Sequence, residues 1–227
     1  MPEIQDWLPK IKANPRAWLP AIIRSGETEL ALELIRDHPD LFPVRFSGNA
    51  TLLHVAAYSE QPAIVAALLA AGARMDFIAA IVLRRMDLVQ AMLDADPSLV
   101  HRRSPDRWTG LHIAVGYSNA EIVALLIAAG AEVNRPGNRG RTPLFFVGAE
   151  PFDNARLLLD HGADINAAAK HGFTALHSAA IAGNADFVRF LVAHGANTNA
   201  QTDARQTAWA LAVRWGHRNV AAILAGL

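Results

Sequence analysis

The string Thr174-Ala-Leu-His177 decides the fold, because the chain repeats it along its length. The same pattern returns, intact or altered, as Thr51-Leu-Leu-His54, Thr109-Gly-Leu-His112, Thr142-Pro-Leu-Phe145 and Thr207-Ala-Trp-Ala210. In chain order, the threonines of the five strings are 58, 33, 32 and 33 residues apart. Recurrence with a period of about 20 to 50 residues is typical of repeat proteins, in which stacked neighbours bury a continuous core.

A second marker, the dipeptide Gly-Ala, follows four of these threonines by 20 or 21 residues. The 58-residue gap contains a further repeat, since Leu88-Val89 occupies the place of Ile64-Val65 in the repeat before it. The same alignment adds one repeat ahead of Thr51. We therefore predict seven repeats, which start near residues 17, 51, 75, 109, 142, 174 and 207.

Each repeat has the residues of two short helices and a loop. Its threonine is a suitable N-cap, because the hydroxyl can accept a hydrogen bond from a free N–H of the first turn. Small residues such as Ala56 and Ala57 follow and allow neighbouring helices to approach closely. Ile64 and Leu68 have the spacing of a second amphipathic helix. The glycine of Gly-Ala suits the left-handed residue that ends this helix.

The period and the Thr-x-Leu-His string resemble the ankyrin repeat, strongly over residues 47–227 and more weakly over 17–46. The resemblance implies an all-α solenoid of seven antiparallel helix pairs, curved around a concave groove. A short hairpin, here called a finger, precedes each repeat's threonine and projects on one side. The resemblance also implies that His54, His112 and His177 hydrogen-bond to backbone and threonine.

Three regions depart from the pattern. The third repeat has lost its finger between Ala73 and Met75, and the fifth repeat is one residue short with Phe145 in place of histidine, so we expect irregularity at both. Residues 1–16 fit no repeat, and Pro9 is expected to interrupt their helical spacing. We interpret 1–16 as a segment that caps an ankyrin-repeat domain of residues 17–227. The last repeat is expected to be more polar, with His217, Arg218 and Asn219 beside Trp215.

Composition excludes several function classes. The 227 residues include no cysteine, which excludes disulfide scaffolds, zinc–thiolate sites and cysteine nucleophiles. The net charge is zero, which argues against a globally basic nucleic-acid binder. The N-terminus has neither the basic n-region nor the apolar h-region of a signal peptide. The longest uncharged helical stretch, 61–73, is 13 residues and too short to span a membrane. We expect a cytoplasmic monomer, although delivery into another cell stays open.

No catalytic set is visible in the sequence. Motifs for zinc proteases, phosphate loops and serine hydrolases are absent. His161 and His194 each end a second helix, where a partly charged imidazole suits the negative helix terminus. The carboxylates are scattered along second helices, as on a solvated face. We therefore predict a protein that is not an enzyme and needs no cofactor or metal.

The fingers carry a surplus of positive charge. Residues 101–227 have a net charge of +3, and the fingers at 101–108, 134–141, 167–173 and 200–206 together carry +6. Because fingers stack side by side, these residues should form a basic stripe. Three interpretations stay open, namely solubility of exposed hairpins, an acidic protein partner, and nucleic acid or anionic lipid.

Aromatic residues lie near this stripe. The family pattern places Tyr117, Phe146 and Trp215 on the groove side of first helices, and Trp108 and Phe173 at finger bases, unless they pack on the neighbouring repeat. Aromatics beside arginines are typical of interaction hot spots. The candidate partner-binding residues are Arg102, Arg103, Arg107, Trp108, Tyr117, Arg139, Arg141, Phe146, Lys170, His171, Phe173, Arg205 and Trp215.

These patterns indicate a non-catalytic scaffold that binds a partner protein, with an acidic one favoured, through the groove and the basic fingers of the fourth to seventh repeats. Such a scaffold could act as an effector or as an inhibitor of an enzyme or toxin. We interpret the cysteine-free, alanine-rich composition as a sign of bacterial origin. The alternatives are a nucleic-acid or anionic-surface platform, which the zero net charge disfavours, and an enzyme with an ankyrin-like body.

Overall fold

The computed structural model describes residues 4–46, 50–104, 107–117, 119–148 and 152–226. Within these ranges the protein is all-α, and a single bridge between Arg103 and Thr109 is its one β-type pairing. The chain divides into two compact bodies, an N-terminal body of residues 1–89 and a C-terminal body of residues 90–227.

The N-terminal body contains six helices and the start of a seventh. They are α1 (Ile4–Ala13), α2 (Pro15–Ser25), α3 (Thr28–Asp37), α4 (Leu52–Tyr58), α5 (Pro62–Ala70), α6 (Phe77–Val82) and α7 (Met86–Ala95). The pairs α2–α3 and α4–α5 pack against each other, and α6 packs on α4. Their shared core includes Leu19, Ile23, Leu34, Leu53 and Ile64, each at most 1% exposed.

The C-terminal body begins with the end of α7 and stacks the remaining pairs. Its helices are α8 (Gly110–Tyr117), α9 (Ala120–Ala128), α10 (Asp153–Asp160), α11 (Ala175–Ala182), α12 (Ala185–Ala193), α13 (Ala208–Arg214) and α14 (Arg218–Ala225). First helices pack on first helices and second helices on second helices, as in α11 with α13 and α12 with α14. Leu111, Ile122, Leu126 and Leu158 are fully buried between them.

The predicted all-α repeat fold is confirmed, and its two irregular repeats are visible. In the fifth repeat the first helix is reduced to a 3₁₀ turn, Pro143–Phe146, and the chain leaves helical geometry at Val147. In the third repeat no hairpin separates α5 from α6. Arg84 there takes the left-handed conformation of the missing turn glycine, with φ of 55°.

The expectation that Pro9 interrupts the N-terminal segment is wrong. Helix α1 runs through Pro9, as α2 runs through Pro20. Proline inside a helix removes one backbone hydrogen bond, but tertiary contacts hold α1 in place. Ile11 is 4% exposed in the core, and Lys12 donates to Glu33 of α3. These contacts fix α1 on the neighbouring helices, and the interpretation of 1–16 as a cap stays a prediction.

The last repeat is less polar than expected. Trp209 and Val213 lie four residues apart on α13, and they are 46% and 53% exposed. The equivalent position in inner repeats holds the buried leucines Leu53, Leu111 and Leu176. The polar residues of this repeat lie at the start of α14, so this face of α13 remains apolar.

A side chain replaces the missing finger of the third repeat. The buried His54 ring contacts the Thr51 amide through Nδ1 at 3.0 Å, and its Nε2 lies 2.9 Å from Oδ1 of Asp76. The same carboxylate oxygen accepts from the Ala79 amide and so caps α6. Burial alone would raise the pKa of Asp76, but the hydrogen bond and charge of His54, the Ala79 amide and Arg45 together lower it.

We predict that Asp76→Ala destabilises the protein by about 2 kcal/mol, because His54 loses its acceptor and α6 loses its N-cap. Chemical denaturation followed by circular dichroism measures this change. Asp76→Asn should lose less, since the amide oxygen can still accept, and the exposed Asp40→Ala is the matched control. An equal, small effect of Asp76→Ala and Asp40→Ala would contradict the prediction.

Candidate interaction surface on the fingers

Buried histidines tie each of two fingers to the repeat before it. His112 Nδ1 accepts from the Thr109 amide at 3.1 Å and contacts the Thr109 hydroxyl at 2.8 Å. Its Nε2 lies 3.2 Å from the Arg141 carbonyl oxygen in the following finger. An acceptor at Nδ1 and a carbonyl at Nε2 require the neutral ring with the proton on Nε2.

His177, two repeats later in the chain, has the same arrangement. Its Nδ1 accepts from the Thr174 amide at 3.2 Å, and its Nε2 lies 3.1 Å from the Ala200 oxygen and 3.2 Å from the Gln206 oxygen. Burial lowers the pKa of His112 to about 4 and also lowers the pKa of His177. Both rings are therefore neutral structural bridges, as the family resemblance implied.

Side-chain amides link the chain segments that lead into neighbouring fingers. Asn134 donates to the Gly162 oxygen at 2.8 Å and accepts from the Asp164 amide at 2.8 Å. Asn166 forms the same pair of bonds with Gly195 and Asn197. These bonds hold the segments before the last three fingers in register, so the exposed side chains of these fingers form a row.

Each finger has a non-glycine residue in the left-handed region at its turn, and in two fingers a left-handed glycine, Gly140 or Gly172, follows it. Arg107, Arg139, His171 and Arg205 all take left-handed backbone conformations, with φ between 54° and 64°. Residues other than glycine, asparagine and aspartate rarely occupy this region. Each finger therefore presents a basic or imidazole side chain at its turn.

Ion pairs neutralise part of the predicted basic stripe. Arg102 lies 3.7 Å from Asp96, and Arg135 lies 2.6 Å from Glu132. The exposed His171 ring, which is not part of the charge count, contacts Asp203 at 3.4 Å. Asp96 and Glu132 stand outside the fingers, so counting charge in the fingers alone overestimated the surplus. Among the described residues of the four fingers, the exposed basic residues with no ion pair within 4 Å are Arg107, Arg139, Arg141, Lys170 and Arg205.

Arg103 differs from the other predicted arginines. It is half-buried beside the Thr109 bridge, and its charge contributes to lowering the pKa of both His112 and Glu132. Among the described residues its buried Nε has no hydrogen-bond partner. Arg103 is thus held within the finger base, where replacing it would disturb the fold as well as the surface charge.

Three of the predicted aromatic residues pack inside the repeats. The rings of Trp108 and Phe146 meet edge-on with centroids 4.6 Å apart, and both flank His112. A Cβ at Gly137 would lie 2.4 Å from Trp108, so this glycine makes room for the indole. Phe173 packs against His177 at 5.8 Å. All three are half-buried rather than fully displayed.

Tyr117 and Trp215 are exposed, at 45% and 59%. Each lies at the end of a first helix, opposite the finger. With a rise of 1.5 Å per residue, this position is roughly 12 Å from the N-cap threonine of the same helix. Three repeat spacings separate Tyr117 from Trp215. Because neighbouring helices pack 8–10 Å apart, the two residues lie about 25–30 Å from each other. Together with the fingers they outline a surface of protein-interface dimensions.

His161 and His194 hydrogen-bond to backbone at the ends of second helices. His161 and His194 each direct Nδ1 to a carbonyl of the preceding helical turn, at 2.8 and 2.7 Å, which matches the structural interpretation. No group of three His, Asp or Glu side chains suited to a metal occurs among the described residues. In the same part of the chain, none of the helices has the length and apolar character of a membrane span.

Sequence reasoning missed two exposed residues, Trp209 and Val213. The repeat alignment assigned them to slots that inner repeats bury. The sequence did contain one sign of this exposure, because Trp209 stands where Leu53, Leu111 and Leu176 stand in other repeats and is larger than leucine.

Comparison with known proteins agrees with this architecture. The family model for ankyrin repeats in three copies matches residues 77–169 and 157–226. These matches cover more than half of the chain, which therefore belongs to the ankyrin-repeat family.

Curated relatives share the repeats over part of their length. The chain is 35% identical to "Putative palmitoyltransferase ZDHHC13" of Danio rerio over 72% of this chain and 27% of that protein. It is 37% identical to B-cell lymphoma 3 protein homolog of Mus musculus, over 51% of this chain and 27% of that protein. It is 40% identical to ankyrin repeat and SOCS box protein 6 of Homo sapiens, over 42% of this chain and 25% of that protein. The chain spans about a quarter of each relative. All three are eukaryotic, so the prediction of bacterial origin gains no support.

We predict that acid destabilises the protein through His112. Its pKa falls from 6.5 to about 4 on folding, so the unfolded chain binds this proton more readily. The stability that the neutral ring contributes is complete above pH 6.5 and is lost as the pH falls towards 4, by about 3 kcal/mol.

Urea denaturation between pH 7 and pH 4 measures this loss. His112→Gln, which carries no titrating ring, should flatten the pH dependence even though it lowers stability at pH 7. His101→Gln, at an exposed finger position, should leave the dependence unchanged. If His112→Gln left the pH dependence of stability unchanged, this result would contradict the prediction.

Proposed function

We propose that the chain is a non-catalytic scaffold that binds an acidic partner protein through the basic fingers and the groove side of the first helices in its fourth to seventh repeats. The observation that carries the proposal is the row of exposed basic residues on four stacked fingers, Arg107, Arg139, Arg141, Lys170 and Arg205. Binding of this kind fits a cytoplasmic effector, or an inhibitor that occludes an enzyme or toxin. We further propose that the free protein is a monomer.

The arrangement of charges and aromatics supports a protein rather than a small ligand. Charged side chains on exposed turns steer an oppositely charged protein and raise its association rate. Tyr117 and Trp215 supply flat, partly apolar surfaces of the type that anchors interfaces. The relatives whose names mention a lymphoma protein and a SOCS box protein match this chain in their ankyrin repeats.

Nucleic acid is the second candidate, favoured by the same arginines. Affinity for a phosphate backbone needs several adjacent cations along the contact. The stripe is interrupted by the acidic partners of Arg102 and His171. An acidic protein, which can match such a mixed pattern, is therefore the better candidate.

Reversal of three exposed finger charges should slow partner association at least tenfold at low salt, because the steering field is lost. The variant is Arg139→Glu, Arg141→Glu and Lys170→Glu. Its matched control reverses three exposed arginines of the N-terminal body, Arg16, Arg24 and Arg36. The partner is captured from extracts of the source cells, identified by mass spectrometry and measured by surface plasmon resonance at low and high salt.

Equal association rates for the finger variant and the control would move the site away from the fingers. Captured RNA or DNA in place of a protein, with a steep salt dependence, would favour the nucleic-acid alternative. Unfolding midpoints of both variants should stay close to wild type, since exposed substitutions usually change stability by less than about 0.5 kcal/mol.

Truncation of the exposed aromatics should act on dissociation instead. Tyr117→Ala and Trp215→Ala are each expected to speed dissociation about tenfold or more, because an anchor supplies short-range contact rather than steering. Trp209→Ala is the control, since Trp209 is equally bulky and exposed but lies outside the proposed surface. A larger effect of Trp209→Ala would place the partner on the outer face of α13.

A further inference from the structure

Helix α13 presents an apolar stripe on the side away from its buried residues. Trp209 and Val213 stand four residues apart, which places them on one side of the helix, and both are exposed. They are here called the α13 stripe. Ala208, Leu211 and Ala212 are buried on the other side, and α13 packs on α11 and α14.

The equivalent positions of other repeats are buried. In the second, third, fourth and sixth repeats the residues at these two positions are at most 7% exposed, namely Leu53, Ala57, Phe77, Ile81, Leu111, Val115, Leu176 and Ala180. The next first helix packs beside them, as α6 does on α4 and α13 does on α11. The α13 stripe therefore continues the interface by which first helices stack, and none of the described residues buries it.

An apolar surface at this place indicates a binding face. The outer face of an end repeat is polar in repeat proteins that keep it in water. A tryptophan and a valine there expose apolar area that burial against another helix would remove from water. Because every inner copy of this face packs on a helix, its shape favours a helix as the occupant.

The charges around the α13 stripe are positive. Residues 204–226 contain Arg205, Arg214 and Arg218 but no aspartate or glutamate. All three arginines are exposed, and none forms an ion pair with another described residue. Arg214 directly follows Val213 and flanks the stripe. A second copy of the chain would bring the same arginines together, whereas an acidic helix complements them.

We propose that the α13 stripe binds an amphipathic helix of a partner protein, with small and aliphatic residues against Trp209 and Val213 and acidic residues toward Arg214. The helix takes the place that a further first helix would have in the stack. The buried side of α13, one leucine between two alanines, is an example of the surface that packs in this way. The site lies outside the finger surface, so either site can fail in experiment without the other.

The test is a ¹H–¹⁵N NMR titration of the full chain with three helical peptides. Each contains three heptads of Xaa-Glu-Gln-Ala-Ala-Gln-Glu, with Xaa as Ala, Leu or Val, and a hydrocarbon staple on the Gln side holds it helical. Xaa and the alanines form one apolar stripe, which the glutamates flank. At least one peptide is expected to shift the Trp209 indole signal and the Val213 and Arg214 amide signals in a saturable way.

Two altered peptides separate apolar contact from charge. Serine in place of Xaa and of the alanines should abolish binding, because the apolar stripe is gone. Glutamine in place of every glutamate should weaken binding at least threefold at low salt, a change within the range of one exposed ion pair.

Matched protein variants locate the site. Trp209→Ala should weaken the best peptide at least tenfold, as expected for an aromatic anchor. Met86→Ala, at an exposed apolar residue of the N-terminal body, should leave binding unchanged. Arg214→Gln should weaken it about threefold, and Arg24→Gln, at another exposed arginine, should not. Unchanged spectra away from each substitution verify that the variants are folded.

The proposal is overturned if none of the three peptides shifts the Trp209 indole signal at millimolar concentration. Vesicles of phosphatidylserine that then bind wild type but not Trp209→Ala would assign the stripe to a membrane surface. A dimer in sedimentation experiments that Trp209→Ala dissociates would assign it to a second copy. Equal affinity of the glutamate and glutamine peptides would also contradict the proposal, since its choice of an acidic partner depends on charge.

Discussion

A neutral, buried imidazole between two backbone segments is the interaction on which the rest of the structure depends. In His112 and His177 one ring nitrogen accepts from the N-cap of its own helix while the other donates to the finger of the next repeat. One side chain therefore fixes both the start of a helix and the position of the neighbouring hairpin. Because the ring must be neutral and buried to do this, the same residue cannot serve as a surface acid or base.

The repeats without this histidine show what depends on it. In the third repeat the acceptor finger is gone, and Asp76 supplies the carboxylate that satisfies His54 and caps α6. In the fifth repeat Phe145 stands in the histidine slot, and the Thr142 side chain caps nothing in the 3₁₀ turn that follows. In the last repeat Thr207 still caps α13 by accepting from the Ala210 amide, so the histidine secures neighbour contacts rather than helix formation itself.

The features that sequence predicted well are those with a local physical cause. Threonine caps, turn glycines and apolar spacing repeat with one period, so the helix pairs and the missing finger could be located before the structure was known. The exposure of Trp209 and the partial burial of Arg103 could not be predicted in this way, because both depend on which residues of a neighbouring repeat pack against them. Charge counting failed for the same reason, since Asp96 and Glu132 reach the finger arginines from outside the fingers.

The finger tips show where the fold leaves freedom to the sequence. Most buried positions of the repeats hold alanine, an aliphatic residue or phenylalanine. The tip residues Arg107, Arg139, His171 and Arg205 only have to close a turn with positive φ. Glycine does this with the least strain, and a non-glycine residue in this region costs of order 1 kcal/mol or more. Such strain persists only where the surrounding bonds hold the turn. Here a backbone hydrogen bond closes each hairpin, and histidine bridges also hold the fingers of Arg139 and Arg205. The basic side chains at the tips are thus displayed at a cost in backbone energy, and Glu60 and Arg84 take the same conformation in turns between paired helices.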